Sequence, residues 1–235
     1  MFRIVTIALI LLFSASAYGE TYIDGVVGNI VYKGFANQNI DSMMAGIRGV
    51  NILKISDILN IRSEGSFMYG KKEEIRGNSA FIQMQPYLIT LRTGISLEAD
   101  DSVMFTVGPM WRYFYTPIDF KFPAVSLSTS DRYFSETWYA VESMRFLGIS
   151  GPYRIEFLGE IFIPLSQKYR HIDKEYVNGE WISYSRTEHS SGRIGGAIEL
   201  RFGYKSLIID TRYEYCNFSP GMGANLLTLG IGYML

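Results

Sequence analysis

The sequence predicts an all-β chain closed into a transmembrane, antiparallel up-and-down barrel of about ten strands, on three observations. Near the C-terminus Leu227, Leu229, Ile231, Tyr233 and Leu235 alternate with Thr228, Gly230, Gly232 and Met234. One face of that strand is wholly apolar and the other small or polar, which suits a strand facing lipid better than an edge facing water. The same period-2 asymmetry recurs along the chain, while no convincing amphipathic helix is present. The third observation is Met1–Gly19, which has the parts of an export signal: Arg3, an apolar run from Ile4 to Phe13, and small residues at Ala15-Ser16-Ala17 and Ala17-Tyr18-Gly19. The run falls short of the roughly 20 residues that a spanning helix needs, so cleavage after Gly19 is expected, leaving one barrel domain over 20–235.

Composition agrees. Aromatic residues make up 15% of the chain, with 17 Tyr, 15 Phe and 23 Gly, as expected where aromatic girdles sit at two interfaces and small residues ease strand packing. The formal net charge of -1 argues against nucleic acid as a partner. A single cysteine, Cys216, excludes an intrachain disulfide and a cysteine zinc cluster, and no metal or cofactor is expected. Cys216 reads as a small residue on an inward face.

The strands follow in order. Tyr22–Tyr32 and Met44–Leu53 alternate weakly. Leu59–Tyr69 sets Leu59, Ile61, Phe67 and Tyr69 against Asn60, Arg62, Glu64, Ser66 and Met68. Ala80–Leu97 contains Pro86, which marks a bulge or an unpaired end because proline donates no ladder hydrogen bond. In Val103–Tyr115, Val103, Phe105, Val107, Trp111, Tyr113 and Tyr115 oppose Met104, Thr106, Gly108, Met110, Arg112 and Phe114. Tyr133–Phe146 is weaker, and Tyr153–Pro164 opposes Tyr153, Ile155, Phe157, Ile161 and Ile163 to Arg154, Glu156 and Glu160. Arg193–Tyr204 places Ile194, Ile198, Leu200, Phe202 and Tyr204 outward; Leu207–Cys216 opposes Leu207, Ile209, Thr211, Tyr213 and Tyr215 to Ile208, Asp210, Arg212, Glu214 and Cys216. Asn225–Leu235 closes the set. The count is roughly ten, or eight if the first pair is irregular.

The connections sort by side. Lys54–Asp57, Glu98–Ser102, Leu147–Pro152 and Gly203–Ser206 are short; Gly34–Ser42, Lys71–Asn78, Thr116–Arg132, Ser166–Ser191 and Asn217–Ala224 are longer and more polar. Short turns on the periplasmic side and long loops outside are the outer-membrane asymmetry. A soluble lipocalin-like barrel, the fold alternative, would need an apolar inside and a polar outside, the reverse of the strongest strands.

The whole mature chain therefore resembles the small outer-membrane β-barrel proteins of Gram-negative bacteria, in pattern rather than through a subfamily motif. Leu229, Ile231, Tyr233 and Leu235 are similar to the C-terminal signal by which such barrels are recognised for assembly; Tyr233 stands third from the end, and Leu235 takes the place of the usual terminal aromatic. The resemblance implies residence in the cell outer membrane, with lipid, lipopolysaccharide and the barrel assembly machinery as partners.

Function is read from the interior and the rim. Arg62, Glu64, Arg92, Arg112, Glu142, Arg154, Glu156, Glu160, Glu199, Arg201, Asp210, Arg212 and Glu214 are assigned inward, with acids and bases about balanced. Lone ions in a confined interior cost several kcal/mol, so these charges are expected to pair across the lumen and hold the barrel shut. That favours a structural or surface-interaction role. The alternative is a narrow passive pore with charged constrictions. Trp111, Tyr113, Tyr213, Tyr215 and Tyr233 are assigned to the girdles. His189 and Ser191, two apart near a strand entry, share a face and resemble the His-x-Ser of outer-membrane lipid A deacylases, although Gly192 replaces the following Asn; they are weak catalytic candidates, and enzymatic activity is not expected. No pair of rim aspartates with a histidine partner stands out. Thr116–Arg132 and Ser166–Ser191 carry Phe120, Phe122, Tyr169, Tyr176, Trp181 and Tyr184, a set suited to contacting an extracellular ligand or to covering the mouth.

Overall fold

A computed structural model describes residues 19–33, 39–76, 81–100, 102–122, 127–177, 180–219 and 222–235. Almost all of the signal segment, Met1–Tyr18, lies outside the described residues, as do the tips of the outer hairpins. Thirteen strands follow in order: β1 (Gly19–Lys33), β2 (Asn39–Lys54), β3 (Leu59–Gly70), β4 (Glu73–Arg76), β5 (Phe81–Met84), β6 (Tyr87–Asp100), β7 (Val103–Phe122), β8 (Leu127–Ser150), β9 (Tyr153–Val177), β10 (Glu180–Ser190), β11 (Gly195–Tyr204), β12 (Leu207–Ser219) and β13 (Met222–Met234). Ten of them, β1, β2, β3, β6, β7, β8, β9, β11, β12 and β13, pair antiparallel with their sequence neighbours, and β13 returns to β1. The ring is therefore closed, as a lipid-exposed sheet without unpaired edges must be. The seam runs from Tyr22↔Met234 to Tyr32↔Ala224.

The remaining three strands are outward continuations. β4 and β5 prolong the β3–β6 hairpin past a break at Gln85–Pro86, where the Gly70 amide donates to the Pro86 carbonyl at 2.6 Å. Proline interrupts the ladder there for the reason its missing N–H predicts. β10 prolongs β11 along the upper half of β9.

Burial alternates with period 2 as the sequence requires. In β11 the pattern places Ala197, Glu199, Arg201 and Gly203 inside and Ile198, Leu200, Phe202 and Tyr204 outside. Ile198, 55% exposed, and its outward neighbours on β9, β12 and β13 form an apolar belt. Two sequence assignments are corrected. Glu142 faces outward, because β8 turns its odd-numbered residues (Tyr139, Val141, Ser143, Arg145) to the lumen; its cross-strand partners are the exposed Val107 and Ile161. And Thr116–Arg132 and Ser166–Ser191 are largely strand rather than loop. β8 has 24 residues and β9 25, whereas a tilted membrane strand needs about 9–11. At about 3.3 Å per residue β9 runs for about 80 Å, so β7 to β10 form a tall wall outside the membrane.

The interior is layered rather than uniformly polar. Tyr22, Val50, Ile52, Met104 and Ile208 pack together at the turn end. The charged residues occupy the middle. Above them lies a larger apolar cluster that includes Ile30, Met44, Met68, Leu88, Phe114 and Ile118, with the buried, inward Cys216 at its margin.

Candidate functional site

The middle layer is built from cross-strand and cross-lumen ion pairs. Its cations are all arginines: Arg48, Arg62, Arg92, Arg112, Arg145, Arg154, Arg201 and Arg212 are buried, and no described lysine joins them. A planar guanidinium with five donors can bridge several carboxylates at once, which a point-charge ammonium cannot do with the same geometry. Arg48 on β2 shows this, reaching Asp24 on β1 at 2.9 Å, Asp210 on β12 at 2.9 Å and Glu199 on β11 at 3.0 Å.

From Glu199 the network spreads. Glu199 also accepts from Arg201 at 2.6 Å and Arg212 at 3.2 Å. Arg201 continues to Glu156 at 3.1 Å, and Glu156 accepts from Arg145 at 3.0 Å. Arg212 joins Glu160 at 2.5 Å and Glu214 at 3.0 Å, while Arg112 crosses from β7 to Glu214 at 2.7 Å. Arg92 reaches Glu160 from β6 and donates to Ser143 at 2.9 Å. Arg62 pairs with Glu64 at 3.2 Å on the same strand. Near the turn end Arg145 and Arg154 meet Glu20 at 3.1 and 2.8 Å. Of the inward residues singled out in the sequence, Arg112, Glu156, Glu199, Arg201, Asp210, Arg212 and Glu214 are joined by ion pairs between strands, whereas Arg62 and Glu64 pair with each other along β3. Arg48, Asp24, Arg145 and Glu20, not assigned from sequence, complete the network; they lie on strands whose alternation is weak.

Glycine makes the network possible at the seam. A Cβ at Gly230 would collide with the Asp210 carboxylate, and one at Gly232 with that of Asp24. The small inward face of β13 is the space these two acids occupy. A cavity of about 40 Å3 lies among Arg48, Glu64, Arg92, Arg112, Arg212 and Glu214, room for a few waters. Over it, Tyr139 on β8 donates to the Asn217 carbonyl on β12 at 3.1 Å, and Gln167 on β9 donates to the same oxygen at 3.1 Å.

On the outer face, Trp111 and Tyr113 stack at 5.9 Å, and Tyr115 stacks on Phe134 at 4.8 Å. Trp111 donates to Glu136 at 3.0 Å and Tyr213 to Asn225 at 2.6 Å, giving each ring a polar end. Tyr153 and Tyr204, 5.2 Å apart, lie toward the opposite end with Tyr233. Leu229, Ile231, Tyr233 and Leu235 stay exposed in one outward row, and Tyr215 is outward near the upper ring.

The rim divides the aromatics of the two long segments. Phe120 and Tyr169 pack on the upper apolar cluster, whereas Tyr176, Trp181 and Tyr184 are exposed on the β9–β10 hairpin. His189 is exposed near the end of β10, and Ser191 lies in the break before β11; no hydrogen bond joins them among the described residues.

One rim constellation escapes sequence reading. At Trp138↔Ser166 and Tyr139↔Pro164 the register shifts, so that Leu165 is an extra residue in β9. A bulge of one residue flips every later side chain to the other face. Below it the even residues of β9 point inward; above it Gln167, Tyr169, His171 and Asp173 do. Alternation extended from Tyr153–Pro164 would place His171 and Asp173 outside. The bulge instead brings them beside Asp131 of β8, the aspartate pair with a histidine that no spacing in the sequence discloses.

No known protein-family profile matches the chain, and no curated protein matches it in sequence. Solved structures do. The outer-membrane protease OmpT of Escherichia coli is 8% identical, covers 93% of this chain and 96% of its own, and superposes with a TM-score of 0.56. Ail, the attachment invasion locus protein of Yersinia pestis, is 12% identical over 93% and 99% of the two chains, with a TM-score of 0.44. The translocator domain of the autotransporter NalP from Neisseria meningitidis is 11% identical over 98% and 94%, also at 0.44. At 8% identity the likeness to OmpT is one of fold alone: the chain shares the closed antiparallel architecture of an outer-membrane β-barrel.

Proposed function

We propose that this barrel is a closed anchor in the outer membrane, and that its work is done by the wall that β7 to β10 raise above the lipid. The observation that carries this reading is the occupied lumen. Ion pairs join strands on opposite sides, such as Arg48 to Glu199, Arg92 to Glu160 and Arg112 to Glu214. Apolar layers lie above and below them. A conducting pore needs a continuous wet path and sites that hold ions loosely; interlocked guanidinium–carboxylate pairs under an apolar cluster offer neither.

Exposed Tyr176, Trp181 and Tyr184 give the raised hairpin the rigid, amphipathic contact surface that binding sites favour, for an extracellular partner or the lipopolysaccharide around it. The outward row ending at Leu235 serves recognition by the assembly machinery, and the export signal delivers the chain to it. The test is single-channel recording of the refolded, signal-free protein in a planar bilayer with insertion verified. A silent membrane is expected. Steady, ion-selective steps would replace the anchor with the narrow pore.

A further inference from the structure

Asp131 on β8 and Asp173 on β9 are directly opposed cross-strand partners on the inner face, above the aromatic ring and outside the membrane-spanning part of the barrel. Like charges in that relation destabilise a sheet unless a cation lies between them. Among the described residues no lysine or arginine pairs with either carboxylate; the nearby Arg132 is taken by Asp119 at 3.1 Å and Arg186 by Glu188 at 2.7 Å. What faces them is a second kind of metal-binding group. His171 Nε2 lies 2.6 Å from Asp173 Oδ1 and 3.8 Å from Asp131 Oδ2. The contact with Asp173 lacks the geometry of a hydrogen bond, so this nitrogen is buried with no hydrogen-bond partner and sits between two acids. Asp131 is itself buried, and its hydrogen bond from Tyr133 is long at 3.4 Å.

We propose that Asp131, His171 and Asp173 bind one divalent transition ion of the zinc class at the inner mouth of the barrel. One imidazole nitrogen and two carboxylate oxygens suit zinc and its neighbours, whereas calcium and magnesium prefer oxygen alone. The three ligand atoms lie within 4.8 Å of one another. With bonds of about 2.0–2.2 Å, two ligands of a tetrahedral ion sit roughly 3.4 Å apart, so small rotations bring the set onto one ion. Asp173, the most exposed of the three, is free to make them. The His171 ring is held in place by Tyr133, on which it stacks at 4.2 Å and 14°, and the same tyrosine donates to Asp131. Three protein ligands would leave one position of a tetrahedral ion for water.

The test uses the mature, tag-free protein refolded in detergent and stripped with chelator. Zinc chloride titrated by calorimetry is expected to bind one ion per barrel in the micromolar range, and calcium chloride is expected to give no heat. His171→Ala and Asp173→Asn are each expected to weaken zinc at least tenfold, while Asp119→Asn, a rim carboxylate outside the set, leaves it unchanged. Should the variants fail to fold, cobalt absorption of the unaltered barrel supplies a second reading, with intense visible bands expected for a tetrahedral nitrogen–oxygen site. Absence of stoichiometric zinc binding, or equal binding by folded His171→Ala and Asp173→Asn, overturns the proposal.

Discussion

Replacing Glu199 by Gln removes one charge while keeping the shape of the side chain and its burial. Glu199 is 3% exposed and serves three guanidinium groups, those of Arg48, Arg201 and Arg212, at 3.0, 2.6 and 3.2 Å. The amide can accept from one of them but neutralises none, so positive charge accumulates where desolvation is already costly. Removing one partner of a buried pair typically costs about 3–5 kcal/mol. That corresponds to roughly a hundredfold to a few thousandfold in the unfolding equilibrium. Urea unfolding in lipid vesicles, followed by the fluorescence of Trp111, Trp138 and Trp181, reads the change. Glu188→Gln is the control: Glu188 pairs with Arg186 at 2.7 Å, but on the exposed hairpin, where such pairs are worth about 0–1 kcal/mol. If Glu199→Gln costs no more than Glu188→Gln, the middle layer does not hold the barrel shut, and the case for a closed lumen falls with it.

Two further outcomes follow from the inward and outward assignment. Ile198→Arg on the lipid face should cost about 2–4 kcal/mol in a vesicle-folding assay, whereas Ala197→Ser, one residue away on the lumen side, should stay near 1 kcal/mol; equal effects would refute the assignment. Gly230→Ala is expected to displace the Asp210 carboxylate from Arg48 and lower the urea midpoint, by about 1–3 kcal/mol in stability. Gly148→Ala, whose added carbon meets the Ile155 carbonyl only at 3.9 Å, should leave the midpoint unchanged.

The membrane-spanning part of the fold is legible because lipid and lumen impose opposite demands on alternate residues. Leu207–Cys216 and Arg193–Tyr204 show that contrast at most steps, and the ten strands and the turn positions follow from it, while the interruption at Pro86 follows from proline's missing N–H. Above the membrane the contrast fades, since water bathes the outer face; in β10 nearly every residue is exposed, and a strand there reads as a polar loop. Glu142 misleads because its strand is weakly patterned and a charge on it reads as lumenal. The apolar cluster around Met44, Met68 and Phe114 is hidden for a related reason: on its own, an inward Met or Phe looks like an outward one. The Asp131, His171 and Asp173 set is beyond reach altogether, since it depends on one extra residue at Leu165 and on a pairing between strands.

The seam between β1 and β13 has a consequence for how the chain matures. Its first and last strands are partners, so the cylinder cannot close before the final residues arrive. Arg48, near the beginning, finds Asp210 and Glu199 only across that junction. Of its three carboxylates only Asp24, on the neighbouring β1, is within reach of Arg48 without that closure. Contacts so distant in sequence form slowly. The Arg48 cluster is therefore completed only when the first hairpin meets β11 and β12 across the closed seam.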